Sequence, residues 1–85
     1  MEGWYVYMIE CSDGTIYTGI TNDVKARILK HNSGKGAKYT RARRPVKLKA
    51  QWKYSSKSAS AQAEYAFKKL SRMQKLKMIN KYKGA

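Results

Sequence analysis

Three tyrosines, at positions 5, 7 and 17, stand in the segment WYVYMIECSDGTIYTGIT, and a glycine at 19 interrupts its second half. Phenols beside such a gap have two readings: amphipathic sheet residues, or the floor of a pocket that offers hydroxyls to a ligand. Further along, Arg27 and His31 are four residues apart, the spacing that projects two side chains from one face of a helix. An arginine presents a planar fork to two phosphate oxygens, which a lysine cannot match. Taken singly, one arginine and one histidine say little. The stretch from 35 to 44 sets Lys35, Lys38, Arg41, Arg43 and Arg44 around Tyr39. Charge interleaved with a stacking ring suits phosphate tracking or single-stranded bases, and the plainer reading is a solvated basic loop. Glu64 lies four residues before Lys68, and on spacing alone an ordinary helix ion pair is the favoured reading.

Charge narrows the class of partner. Nineteen Lys and Arg face five Asp and Glu, a formal net charge of +14. Glu2, Glu10, Asp13 and Asp23 precede residue 24, every basic residue follows it, and Glu64 is the one acid in that basic part. Self-repulsion of this size destabilises a compact chain unless a polyanion neutralises it, and nucleic acid is the leading candidate. A membrane surface is disfavoured, because the apolar residues are spaced as core positions and not as a lipid-facing stripe. With 85 residues the chain is expected to form one domain, residues 1–85, with a modest core. No run of about 18 apolar residues is present, and the first residues do not read as a signal peptide. Cys11 is the single cysteine, which rules out an internal disulfide and a cysteine-closed zinc site and agrees with a cytoplasmic setting.

The elements that must position these residues follow from periodicity. Residues 4 to 11 alternate as a strand, SDGT turns the chain, and 15 to 20 return. A two-residue Asp-Gly loop would put Tyr7 opposite Ile20. A three-residue loop, with Gly14 left-handed, shifts the register by one. Trp4, Val6 and Met8 then share a face with Ile16, Thr18 and Ile20, while Tyr5, Tyr7 and Ile9 share the other with Tyr17 and Gly19. That register separates an apolar face from a phenol-lined one and is the expected one. Gly19 then lies across from Tyr7 and leaves room for a ligand; relief of crowding beside a large ring is the even alternative. A helix is expected from about 24, capped by Thr21 or Asn22, with Val24 and Ile28 buried, Leu29 beside them, and Gly34 or Gly36 at its end. Residues 35 to 44 read as a loop. Residues 46 to 54 alternate without a break, with Val46, Leu48, Ala50, Trp52 and Tyr54 inward. A helix over about 59 to 70 buries Ala63, Phe67 and Leu70. A capping box from Ser71 to Gln74 opens a last helix that buries Met73, Leu76 and Ile79. The fold class is α+β: a three-stranded antiparallel sheet with helices packed on it, in the order β-β-α-β-α-α.

Tyr5-Val6-Tyr7, then Tyr17-Thr18-Gly19, then Arg27, His31 and a later helical Glu64, together resemble the GIY-YIG nuclease domain, and most closely its small stand-alone members. The stretches HNSGKGAKYTRARRPVKL and KKLSRMQK strengthen the likeness, which runs from Trp4 to about Ile79. The resemblance implies a nuclease that hydrolyses a phosphodiester with one divalent ion, Mg²⁺ or Mn²⁺. By position, Tyr7 and Tyr17 match the two motif tyrosines, Gly19 the second motif's glycine, Arg27 the family arginine, and Glu64 the metal-binding glutamate. His31 matches a site that takes histidine or tyrosine. Tyr5 stands where the first motif has glycine, Thr18 replaces the middle isoleucine, and Asn80 is the candidate for an asparagine that follows the glutamate.

The residue types suit that chemistry. Hydrolysis needs an activated water, a counter-charge for the pentacovalent state and help for the leaving oxygen. A hard ion such as Mg²⁺ commonly keeps several waters and takes one or two protein carboxylates, and Glu64 could be such a ligand. A phenol ionising near about pH 10 is a poor base at neutral pH, and surrounding positive charge and a nearby metal are expected to favour its phenolate. Either Tyr7 or Tyr17 takes the proton, with the other positioning water or phosphate, and His31 orients that group or protonates the leaving oxygen. The expected function is therefore a metal-dependent DNA endonuclease of low sequence specificity, structure-selective and of repair or recombination type. Binding is expected to be weak, salt-dependent and without a sequence-specific reader, with DNA favoured over RNA and a protein partner available for targeting. The alternative is a non-catalytic basic module on the same fold that binds DNA or RNA, including at the ribosome.

Overall fold

The protein is described here by a computed structural model covering residues 3–84, so Glu2 and the outermost ends of the expected 1–85 domain lie outside the described residues. Its elements are β1 (Trp4–Glu10), β2 (Ile16–Thr21), α1 (Val24–Asn32), α2 (Lys38–Arg41), β3 (Lys47–Tyr54), α3 (Lys57–Lys68) and α4 (Arg72–Gly84). The three strands form one antiparallel sheet in the order β2-β1-β3. The expected α+β order holds, with one addition: the basic segment expected as a loop contains the short helix α2.

The hairpin takes the register with the three-residue loop. Gly14, at φ 85°, donates its N–H to the Cys11 carbonyl, and Cys11 N–H reaches the Thr15 carbonyl at 2.8 Å. Tyr7 pairs with Gly19, Met8 with Thr18 and Ile9 with Tyr17. Each face carries its own core. Tyr7, Ile9, Cys11 and Val46 cluster with Tyr17 and Ile28 on one side. Met8, Ile16, Ala50 and Ile79 cluster on the other, joined by Trp52, Phe67 and Leu76. Single-residue alternation explains the split, since a strand buried on both sides sends neighbouring side chains to opposite cores.

Four local expectations are corrected. The pairing of β1 with β3 steps from Met8–Ala50 to Ile9–Leu48, so Lys49 is an extra residue and the alternation of 46 to 54 breaks there. Leu48 consequently turns to the Ile9 side and is 42 % exposed. Asp23, not Thr21 or Asn22, caps α1, its carboxylate accepting the Ala26 N–H at 3.1 Å. Leu29 is exposed: the inward positions of α1 are Ile28 and His31, three apart, and Leu29 lies about 100° around the helix from Ile28. Met73 is exposed as well, because α4 begins at Arg72 and its packing starts one turn later, at Leu76. The Ser71–Gln74 capping box forms as expected, with Ser71 N–H on Gln74 Oε1 at 2.9 Å and Gln74 N–H on Ser71 Oγ at 3.2 Å. Among the described residues, no helix is long and apolar enough to cross a membrane.

Candidate active site

Tyr7 stands at the centre of β1, and its ring lies across Gly19 on the neighbouring strand. A Cβ built on Gly19 would sit 2.6 Å from the Tyr7 hydroxyl oxygen and 2.8 Å from the ring carbon that bears it. The space that Gly19 leaves is therefore filled by Tyr7, and relief of crowding is the reading the packing supports. Gly19 acts on the site by letting this phenol lie flat against the sheet.

α1 brings His31 onto that phenol. The Tyr7 hydroxyl and Nε2 of His31 are 2.8 Å apart, and both residues are essentially inaccessible. Nδ1 of His31 is 2.8 Å from Oγ1 of Thr40, and Thr40 in turn donates its hydroxyl proton to the Ala37 carbonyl at 2.9 Å. The direction of the chain follows from that last bond. With its own proton committed, Thr40 accepts, so Nδ1 carries the histidine proton and Nε2 presents its lone pair to the Tyr7 hydroxyl. Gly36 closes over the imidazole: a Cβ there would lie 2.5 Å from Nδ1 and 2.8 Å from the His31 Cα. Thr40 and Gly36 are site residues that the sequence reading did not single out. Gly36 stands out in the sequence only as a possible end for α1, and Thr40 only as one residue of the basic segment, so neither points to His31 by spacing.

The electrostatics of the pair match this arrangement. Burial pushes the Tyr7 phenol above its ordinary value, with Arg27 opposing and the charges of Tyr17 and Glu64 adding to the rise. Burial, and then the positive charge of Arg27, hold His31 below the usual imidazole range. A neutral phenol thus faces a neutral imidazole. Among the protein's own groups, loss of hydration outweighs Arg27, so the phenolate of Tyr7 is not favoured by the surrounding positive charge alone. Both nitrogens of His31 are engaged within the protein, Nε2 with Tyr7 and Nδ1 with Thr40.

Around this core the remaining residues assemble unequally. Tyr17 is half-buried, its ring 6.4 Å from Tyr7 and edge-on to His31 at 5.5 Å. Arg27 sits one turn before His31, close enough for its charge to act on both Tyr7 and His31. Its Nε is buried without a hydrogen-bond partner among the described residues. Glu64 enters from α3, which packs against β1 and β2. Its charge reaches Tyr7, and its carboxylate takes Lys68 at 3.3 Å, the ion pair read from the sequence. Asn80 is exposed on α4, next to Ile79 in the opposite core, and the structure does not bring it to the tyrosines.

The basic segment is divided by role. An open groove of about 540 Å³ runs along α1 past Arg27 and Lys30 to Lys35. Lys38 and Arg41 are exposed on α2. Arg43 is occupied internally: it bonds Asp13 at 3.0 Å and the Tyr39 carbonyl at 2.7 Å, and lies 4.1 Å from the Tyr39 ring centre. Arg44 donates to the Arg41 carbonyl at 2.8 Å. Tyr39 stacks on Tyr17 at 5.6 Å, which ties the segment to the site. No group of three or more His, Cys, Asp or Glu gathers among the described residues. A divalent ion here would rest on Glu64 alone and complete its shell with water and phosphate, a pattern that Mg²⁺ accepts. The single half-buried carboxylate beside Tyr7 and the unpartnered Arg27 nitrogen fit that use.

Residues 3–82 match the GIY-YIG catalytic domain. A UPF0213 protein of Staphylococcus epidermidis is 53 % identical over 79 residues, covering 93 % of this chain and 96 % of that protein. One of Streptococcus agalactiae is 54 % identical over 80 residues, covering 94 % and 91 %. The solution structure of a UPF0213 protein from Bacillus halodurans is similar with a TM-score of 0.59 at 51 % identity, over 92 % of this chain and 83 % of that one. A protein of E. faecalis gives a TM-score of 0.68 at 40 % identity, over 100 % and 91 %. With the tyrosine pair, the arginine–histidine helix and the incoming glutamate in one place, and with matches of this extent, the chain belongs to the GIY-YIG family.

Proposed function

We propose that this protein is a divalent-metal-dependent endonuclease that cuts DNA phosphodiesters with low sequence specificity and selects its targets by shape, in repair or recombination. The observation that carries the reading is the directed chain from the Tyr7 hydroxyl through His31 to Thr40, beside an arginine with an unpaired buried nitrogen. A phenol cannot act as a base at neutral pH unless its own proton has somewhere to go. Nε2 of His31 is that acceptor. Tyr7 takes a proton from the attacking water as it passes its own to His31, and Thr40 holds the imidazole in the required tautomer. Tyr17, whose hydroxyl is not hydrogen-bonded among the described residues, positions the water or a phosphate oxygen. Arg27 supplies the fork for the phosphoryl oxygens, where charge accumulates as the water adds. Glu64 would hold the divalent ion, Mg²⁺ or Mn²⁺, which when bound supplies Lewis-acid stabilisation of phosphate charge.

Lys30 and Lys35 in the groove beside Arg27, with exposed Lys38 and Arg41, supply sequence-independent attraction for the strand. Arg43, Arg44 and Tyr39 contribute by fixing the segment that carries them.

The test incubates the protein with labelled duplex, single-stranded, nicked and branched DNA, and with RNA, in Mg²⁺, in Mn²⁺ and in chelator. Folded Glu64→Ala and Arg27→Ala variants run alongside. Metal-dependent cutting that both substitutions abolish, with binding retained, supports the reading and shows the preferred shape. Binding without cutting in either metal would overturn it in favour of a non-catalytic nucleic-acid module.

A further inference from the structure

A second cationic site lies where α3 meets α4, outside the groove beside Arg27. Arg72 and Lys75, one turn apart at the start of α4, line a recess of about 160 Å³ with Thr15, Ile16 and Tyr39. Tyr39 is also the ring that stacks on Tyr17, so one aromatic thickness separates this recess from the candidate active site. Lys68 approaches from the end of α3, its ammonium 5.8 Å from the centre of the Tyr17 ring.

Three features set these cations apart from the rest of the basic surface. Arg72 is oriented by backbone: its Nε and Nη2 both bond the Gly14 carbonyl, at 3.2 and 3.0 Å, so the guanidinium is fixed at the rim. Lys75 is half-buried, and burial together with the nearby Lys68 charge lowers its pKa below the ordinary 10.5. The adjacent carboxylates are already used, Glu64 by Lys68 and Asp13 by Arg43 and Thr15. A partly dehydrated ammonium beside another cation is unfavourable until an anion joins them.

We infer that the recess bounded by Arg72, Lys75 and Tyr39 binds a backbone phosphate of the nucleic-acid strand, flanking the phosphate that the tyrosine site receives. Its place on the strand rests on the nuclease reading; its affinity for phosphate does not. The aromatic pair Tyr39–Tyr17 forms the floor between the two phosphates, and the strand runs from the α1 groove across Tyr17 to the head of α4. This second hold fixes the direction of approach without reading bases, since phosphate contacts position and carry no sequence information.

The experiment measures binding of a short single-stranded oligothymidylate across a range of NaCl concentrations, in chelator so that nothing is cut. Lys75→Gln and Lys75→Met, the second of which keeps the aliphatic stem, are compared with the parent protein and with Lys47→Gln, an exposed lysine on β3. Loss of one phosphate contact makes the log–log salt slope shallower by about 0.7 for a single strand. The expected result is that change in both Lys75 variants, its recovery in Lys75→Arg, and a smaller change in Lys47→Gln. An unchanged slope in both Lys75 variants, or an equal loss in Lys47→Gln, would overturn the site. Because the readout is binding, absence of cutting leaves this result standing, and cutting with an unchanged slope removes only the second phosphate site.

Discussion

Nε2 of His31 lies 2.8 Å from the Tyr7 hydroxyl, and Thr40 fixes that nitrogen as the acceptor. The pair holds one proton between two buried groups whose affinities have been pushed apart: the phenol keeps its proton more tightly, and the imidazole takes one less readily. A transferable proton at neutral pH therefore requires His31 to be unprotonated at rest.

That requirement sets the pH behaviour. His31 is the only histidine, so its ring signals in an NMR titration are unambiguous. Its folded-state pKa is depressed, so the stability it contributes is complete above the unfolded value of about 6.5 and is lost as pH falls through the lower folded value. The titration midpoint is expected below 6.5 in the folded protein, and the acid limb of the cleavage rate should follow it. A midpoint above 6.5 would contradict a neutral resting imidazole.

Thr40→Val removes the acceptor for Nδ1–H and leaves a buried donor unpaired, at a cost of about 1 to 3 kcal/mol. The tautomer is then no longer held, so ¹⁵N shifts of His31 should show the second tautomer appearing. Cutting should fall by at least about tenfold, as for other groups that orient a functional imidazole. Thr40→Ser keeps the hydroxyl and should restore both readouts. If Thr40→Val lowered stability alone, with tautomer and rate unchanged, Thr40 would be only a packing residue.

Gly19→Ala places a methyl 2.6 Å from the Tyr7 oxygen, between a strand backbone and a buried ring that has no free direction. Overpacking of this kind costs about 1 to 3 kcal/mol. The fold should persist at reduced denaturation midpoint, while the Tyr7–His31 bond is displaced and cutting is lost. A variant as stable and as active as the parent would show that Tyr7 can shift without consequence.

The sheet register, the order of the long elements and the two-faced distribution of phenols and aliphatics were legible because each rests on a period or on local turn chemistry. A left-handed Gly14 and the sorting of Tyr7 and Met8 to opposite faces pick out the hairpin register that forms. The Lys49 bulge was not legible: the lysines and apolar residues of β3 alternate without interruption, and the extra residue appears only in pairing with β1. The candidate site shows the same division. Tyr7, Arg27 and His31 fall at motif and helix spacings, whereas Thr40 and Gly36 act through a segment whose path is set by long-range ties. Asn32 bonds the Val46 backbone in both directions, at 2.7 and 3.2 Å, and Ser12 N–H reaches the Arg43 carbonyl at 2.8 Å. Burial of Tyr7 is also a tertiary quantity, which is why its protonation could not be read from the neighbouring charges in sequence.

Thr18, the middle residue of the second motif, is 2 % exposed in the core opposite Tyr7, and its hydroxyl has no partner among the described residues. Thr18→Val keeps the shape and removes the unpaired polar group, so stability should rise by about 1 kcal/mol. A urea titration should show a higher midpoint with an unchanged slope. Cutting should be unaffected, since the side chain faces away from Tyr7 and His31. A loss of stability would mean that the hydroxyl finds a partner in solution.

Glu64 has two candidate roles that stability and activity separate. The Glu64–Lys68 pair is an i,i+4 contact with side chains 21 % and 50 % exposed, so screening limits its worth to about 0.5 kcal/mol or less. Glu64→Gln keeps the shape of the side chain and removes its charge. If Glu64 only pairs with Lys68, the variant loses that small increment and cuts DNA as before. If it holds the divalent ion, thermal stability in chelator barely changes, while Mn²⁺ binding measured by calorimetry weakens and cutting is lost. The second pattern is expected, because the carboxylate also lies close enough to raise the Tyr7 pKa, a position that a surface ion pair does not need.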